Sequence, residues 1–154
     1  MPLALLLLLT VSATPHYIAP IKPAAERAVA DSIFRYVSLG SLGRIELGRP
    51  LGNLSRLAVL TGPHQYRLQN GTFGGAKSIV ITTDEGGIVR RIGFEYGVDY
   101  GWEDMLADYK LSLGLPSETS DSKAIWNDGR TEFLLSRTRG ASYVARAEMR
   151  DLTP

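Results

Sequence analysis

The chain has no cysteine at all. That excludes disulfides, thiolate metal sites, cysteine nucleophiles and the acylated cysteine of a bacterial lipoprotein. Histidine is nearly as scarce: there are only two. Neither His16 nor His64 has a second histidine or a carboxylate at metal-ligand spacing, so no metal site is expected. No serine lies in a Gly-x-Ser-x-Gly setting, and no catalytic residue or cofactor is assigned. The formal charge is only +1, without the concentrated basic face that nucleic acid demands. After residue 13 no apolar run approaches the 18 residues of a membrane span.

What is present begins with an apolar block. Leu3, Ala4 and the run Leu5 to Leu9 are followed by Val11-Ser12-Ala13. As a helix, Leu3 to Ala13 rises only about 16 Å, half of the ~30 Å hydrocarbon core. It matches the apolar region of a secretory signal, with small residues at −3 and −1 (Val11, Ala13) and Pro15 and Pro20 beyond. The expected address is therefore export, to the periplasm or the outside, as a product without lipid anchor. Cleavage after Ala13 leaves 141 of the 154 residues, with 44% hydrophobic and 21% charged, a globular balance.

Punctuation by glycine and proline suggests residues 14–43 as a leader and helix, 44–97 as a first α+β unit and 98–154 as a second. Pro23 opens a helical stripe of Ala25, Val29, Ile33 and Val37, closed by Gly40. Ile33 to Leu39 taken alone also reads as a strand. Arg44-Ile45-Glu46-Leu47 alternates as a short strand. Leu51, Leu54, Leu57, Ala58 and Leu60 share one helical face, stopped by Gly62-Pro63. Strand patterns follow at His64 to Gln69, Ala76 to Thr83 and Ile88 to Tyr96. The order then repeats, with a helix over Trp102 to Leu113 and strands at Ser122 to Trp126, Arg130 to Arg137 and Ser142 to Met149. The fold class expected is α+β, two helix-plus-three-stranded antiparallel units that can join into one continuous sheet with helices on one face. An ungapped offset of 53 residues overlays Gly48 on Gly101, Leu60 on Leu113, Pro63 on Pro116 and Glu95 on Glu148, pointing to an internal repeat. Charge differs between the halves. Residues 14–97 hold 10 Lys/Arg against 6 Asp/Glu, and 98–154 hold 7 against 10.

Gly48…Leu60-Thr61-Gly62-Pro63 and Leu113-Gly114-Leu115-Pro116 resemble the small α+β module of the lipoprotein subunit that assists outer-membrane β-barrel assembly. Two such modules in tandem resemble the layout of β-lactamase inhibitory proteins. The resemblance implies a non-catalytic, protein-binding module of the bacterial envelope. This chain lacks the lipid-bearing cysteine of the first family and the paired cysteines of the second, and no functional residue transfers from either.

Three constellations invite chemistry. Gly71-Thr72-Phe73-Gly74-Gly75-Ala76-Lys77-Ser78 nearly spells a phosphate loop, but Ala76 stands at the second required glycine. A β-branched run follows instead of a helix, so a hairpin is expected. Asp99, Glu103, Asp104 and Asp108 cluster at a helix start, where acids meet the positive end of the macrodipole. Phe94, Tyr96, Tyr100 and Trp102 crowd the junction of the halves, and Phe73 and Trp126 mark matching hairpins. Most aromatics fill cores, while exposed ones anchor partners, which makes Phe73, Tyr96, Trp102 and Trp126 the candidate binding residues. Asn53-Leu54-Ser55 and Asn70-Gly71-Thr72 fit the glycosylation acceptor pattern of a eukaryotic secreted chain.

The expected function is that of an exported, non-enzymatic binding or scaffold protein with a protein partner in the envelope. Two alternatives stay open: a periplasmic hydrolase-type enzyme, in which His64 meets Asp84 or Glu95 in a recess, and a binder of a small apolar ligand between helix and sheet.

Overall fold

The computed structural model describes residues 33–73, 75–97, 101–137 and 145–154, with the backbone alone for 69–73. Two short strands, β1 (Tyr36–Ser38) and β2 (Arg44–Glu46), pair with each other. A 3-10 turn over Gly52–Arg56 leads into β3 (Val59–Gly62), β4 (Gln65–Phe73), β5 (Ala76–Thr83) and β6 (Val89–Tyr96). Helix α1 (Trp102–Leu113) follows, then β7 (Glu118–Ser120), β8 (Lys123–Asn127), β9 (Thr131–Arg137) and β10 (Ala145–Asp151). Strands β3 to β10 form one antiparallel sheet in the order β3-β4-β5-β6-β10-β9-β8-β7. Each half of the chain winds from an outer edge toward the middle, and the two innermost strands, β6 and β10, pair with each other.

The expected α+β class, with two helix-plus-three-stranded units, is overturned. Among the described residues the protein is mostly β, with one α-helix and four sheet strands on each side of the middle. The helix expected over residues 51–60 is a single 3-10 turn and an edge strand. Leu57 and Leu60, assigned to its inner face, are 53% and 64% exposed. Only one short turn of the leucine pattern exists because Val59 and Thr61, both β-branched, favour the extended backbone that pairs with β4. Likewise Val37, assigned to the leader helix, lies in β1, where exposure alternates along the chain. The part of that helix before residue 33 lies outside the described residues.

The 53-residue offset also meets a correction. Leu60 belongs to a strand whereas Leu113 ends a helix. Gly62-Pro63 does not stop a helix but opens a two-residue hairpin. Gly62 pairs with Gln65, and His64 takes φ +56° after the proline, the positive value a type II turn needs at that place. The offset holds at the seam, where Phe94 and Ala147 face each other as cross-strand partners. It drifts to 56 one strand out, since Ile79 opposes Phe94 while Leu135 opposes Ala147.

Period-two alternation puts the apolar rows on one face. Leu68, Ile79, Phe94, Ala147, Leu135 and Ala124 form one row across six strands. Tyr66, Ile81, Ile92, Met149, Phe133 and Trp126 form the next. Over these rows lie α1, through Trp102, Met105 and Leu106, and the N-terminal arm, through Ile33, Ile45, Leu47 and Leu51, in a single core. Tyr109 of α1 packs on Phe133 at 4.7 Å between ring centroids, and its hydroxyl meets that of Tyr96 at 2.7 Å. Burial first, and then the adjoining Tyr96 hydroxyl, push the Tyr109 phenol far above its ordinary range, so it stays protonated. The Trp126 indole donates to the Gly114 carbonyl at 2.9 Å just past the helix, where Gly114 takes φ +82°.

One carboxylate ties the arm to the sheet. Asp151, with a fully buried side chain, accepts from Arg35 at 2.6 Å, from Arg90 at 3.0 Å and from the Thr153 hydroxyl at 2.7 Å. Arg35 also donates to the Thr131 hydroxyl, and Arg90 to Asp84. Burial alone would raise the Asp151 carboxyl, but the bonds from Arg35 and Thr153 outweigh it and hold it at about 2. Its stabilisation is therefore complete above the unfolded value near 3.9 and is lost as pH falls toward about 2. Asp151→Asn leaves Arg35 without its counter-charge and is expected to lower unfolding free energy by about 3 kcal/mol. Denaturant melts followed by tryptophan fluorescence between pH 2 and pH 7 check both points. The variant should lose the share of the acid slope that this carboxylate supplies.

Candidate functional site

The second face of the sheet is built by the residues between those that face the core. Thr82, Arg91, Arg150, Glu132 and Asn127 make one row. Arg67, Val80, Gly93, Glu148, Leu134 and Ile125 make another. Ser78, Glu95, Arg146, Ser136 and Lys123 make a third. Every described element outside the sheet that joins the core sits on the first face. Val80, the one buried apolar residue of the second face, takes no part in that core. Arg91 and Lys123 are exposed, and Ile125, Glu132, Leu134, Ser136, Arg146 and Arg150 are half-buried.

Its charges are largely organised in pairs. Arg67 forks onto Glu95, and Ser78 donates to the same carboxylate at 2.6 Å. Glu148 accepts from Arg146 at 3.0 Å on one oxygen and from Arg150 on the other. Arg150 also reaches Glu132 at 3.2 Å. Gly93 makes room for this network. A Cβ there would sit 3.2 Å from the Arg146 guanidinium, which lies across the bare backbone. The Arg146 Nε is buried without a partner among the described residues. Ser78 and Glu95 do not form a nucleophile–base pair. Ser78 is 4% exposed, and both oxygens of Glu95 are held by Arg67.

Of the four aromatic candidates, three lie inside. Tyr96, Trp102 and Trp126 are 5%, 5% and 3% exposed and belong to the core, where the helix seals them against the sheet. Phe73 ends β4, and its side chain lies outside the described residues. Asp99 and Tyr100 also lie outside them. Glu103 and Asp104 occupy the first turn of α1, as macrodipole partners do. His64 is exposed in its hairpin, while Asp84 is engaged with Gly86, Ile88 and Arg90 and Glu95 with Arg67 and Ser78. The space between α1 and the sheet is filled by Tyr109, Trp126 and Phe133. Among the described residues no group of three or more His, Asp or Glu is placed to hold a metal ion. No helix among them is long and apolar enough to cross a membrane.

Sequence reasoning missed the Arg/Glu face. The signal lay in strands already recognised, as the alternate positions Arg91, Gly93 and Glu95 against Arg146, Glu148 and Arg150. Seeing it as one surface required the pairing of β6 with β10. Comparisons with protein-family models, with curated proteins and with solved structures find no match to this chain.

Because Trp126 packs on Phe133 and Tyr109, Trp126→Ala is expected to cost about 3–5 kcal/mol of stability. Trp126→Phe should recover most of that loss. Chemical denaturation of the two variants measures the difference.

Proposed function

We propose that the chain is an exported, non-enzymatic binding or scaffold protein of the cell envelope, which holds a protein partner on the second face of its sheet. One observation carries this reading. The sheet buries one face under the helix and arm, and lays arginine, glutamate and half-buried aliphatic side chains on the other, away from the core. Arginine is favoured at protein interfaces, and an arrangement of Leu134 and Ile125 beside ion pairs supplies both apolar area and orientation. The apolar block ending at Ala13 supports export.

A photocrosslinking residue at Ile125 or Leu134 tests the surface, with Asp108 and Leu111 on the outer side of α1 as controls. The expected result is a defined adduct from the sheet positions, reproduced with the purified partner. Adducts from the helix positions alone would overturn the reading. Export is tested separately: the mature protein recovered outside the cytoplasm should begin at Thr14.

A further inference from the structure

We infer that the occupant of this face is an acidic protein segment, whose carboxylates are read by Arg91 at the junction of β6 and β10; this rests on the sheet-face reading above. The register sets Arg91 directly opposite Arg150. Cβ atoms in such a pair stand about 5 Å apart, and like charges so placed repel. Arg150 is compensated by Glu148 and Glu132. Among the described residues Arg91 has no ion-pair partner, and it is exposed. Its neighbour across the other side is Thr82, and the next same-face position on β6 is Gly93. Arg146 fills the space over Gly93 and shares Glu148 with Arg150. Arg146 and Arg150 thus take up Glu148 and Glu132, and Glu95 is already taken by Arg67, so no carboxylate of this face is left for Arg91. At the β6–β10 junction the uncompensated cation is Arg91, and a guanidinium fork suits a carboxylate bidentately.

The same face argues against a polyanion such as nucleic acid. Glu95, Glu132 and Glu148 lie within the patch and would repel a continuous run of phosphates. Discrete carboxylates of a folded or extended partner can seat on Arg91 while avoiding them.

The experiment titrates the mature chain with a hexaglutamate peptide and follows backbone amide shifts by NMR. Shifts centred on residues 91–95 and 146–150 are expected, fading as salt rises from 50 to 300 mM. Arg91→Glu should weaken binding about tenfold or more, and Arg91→Lys less, since the ammonium keeps charge but not the fork. Arg56→Glu, on the exposed 3-10 turn, should change it less than twofold. Arg91→Glu should melt at or above the wild-type temperature, because it relieves the Arg91–Arg150 repulsion, so lost binding will not reflect unfolding. Equal binding of hexalysine, or unchanged affinity in Arg91→Glu, overturns the inference. So does inorganic phosphate bound as tightly at the same residues, which would mark a free-anion site. If crosslinks form at Ile125 and Leu134 yet Arg91→Glu does not weaken the partner, the sheet-face reading stands and the acidic occupant falls. If peptide binding depends on Arg91 but no crosslink forms, Arg91 reads carboxylates while both the held partner and the inference built on it fall.

Discussion

The pairing of β6 with β10 is the constraint on which the rest of the molecule depends. Each half is a four-stranded meander that is short at its outer edge, and its apolar face continues up to its innermost strand. Joining the innermost strands turns two partial sheets into one and lets the apolar rows run unbroken from Leu68 to Ala124. Phe94 and Ala147 meet at the centre of that junction, large against small, so Phe94 fills the width that two bulky residues could not share. The junction also creates the opposite surface. Arg91, Glu95, Arg146, Glu148 and Arg150 become neighbours only because the two strands lie side by side.

A second device holds the cover on the sheet. The N-terminal arm crosses the ends of the strands, with the Gly48 amide donating to Val89 at 2.8 Å and the Leu51 amide to Gly87 at 3.1 Å. Asp128 receives the Ile33 amide at 2.7 Å, and Asp151 receives Arg35. The described part of the arm pairs only β1 with β2, so these long-range polar contacts fix where its apolar residues enter the core. Gly48 suits that crossing. It takes φ +77°, and a Cβ there would stand 3.5 Å from the Asp151 carboxylate.

The two faces divide the work of the molecule. The covered face takes the aromatic residues, since Tyr109, Trp126 and Phe133 interlock where the helix rests on β8 and β9. The other face keeps charged side chains in fixed orientation, because each glutamate at its middle is held by at least one arginine. On the reading proposed above, a surface of pre-ordered ion pairs would lose little side-chain freedom on docking. Arg91 stands apart from this order, exposed and without an ion pair among the described residues.

Local pattern was enough for α1 and for the strands β5, β6, β8, β9 and β10, and for β4 up to Gln69, beyond which the strand runs on to Phe73. Their alternation or helical stripe, bounded by Gly-rich turns, is encoded within a dozen residues each. Local pattern misled at Leu51 to Leu60, where Leu54 lies in a 3-10 turn and Leu60 in the edge strand instead of on one helix. It was silent on β7, whose Glu118-Thr119-Ser120 has no apolar periodicity and exists by pairing with β8. It could not weigh Tyr96, Trp102 and Trp126, because aromatic residues serve cores and interfaces alike and only packing separates the two. What the sequence by itself determined, then, was the identity of most segments and the alternation within them. The tertiary structure alone decided which strands meet, and hence which face is buried and which charges become neighbours. Hydrogen bonding between strands is indifferent to side-chain identity, so the choice of β10 as the partner of β6 rests on burying the apolar rows of both halves at once.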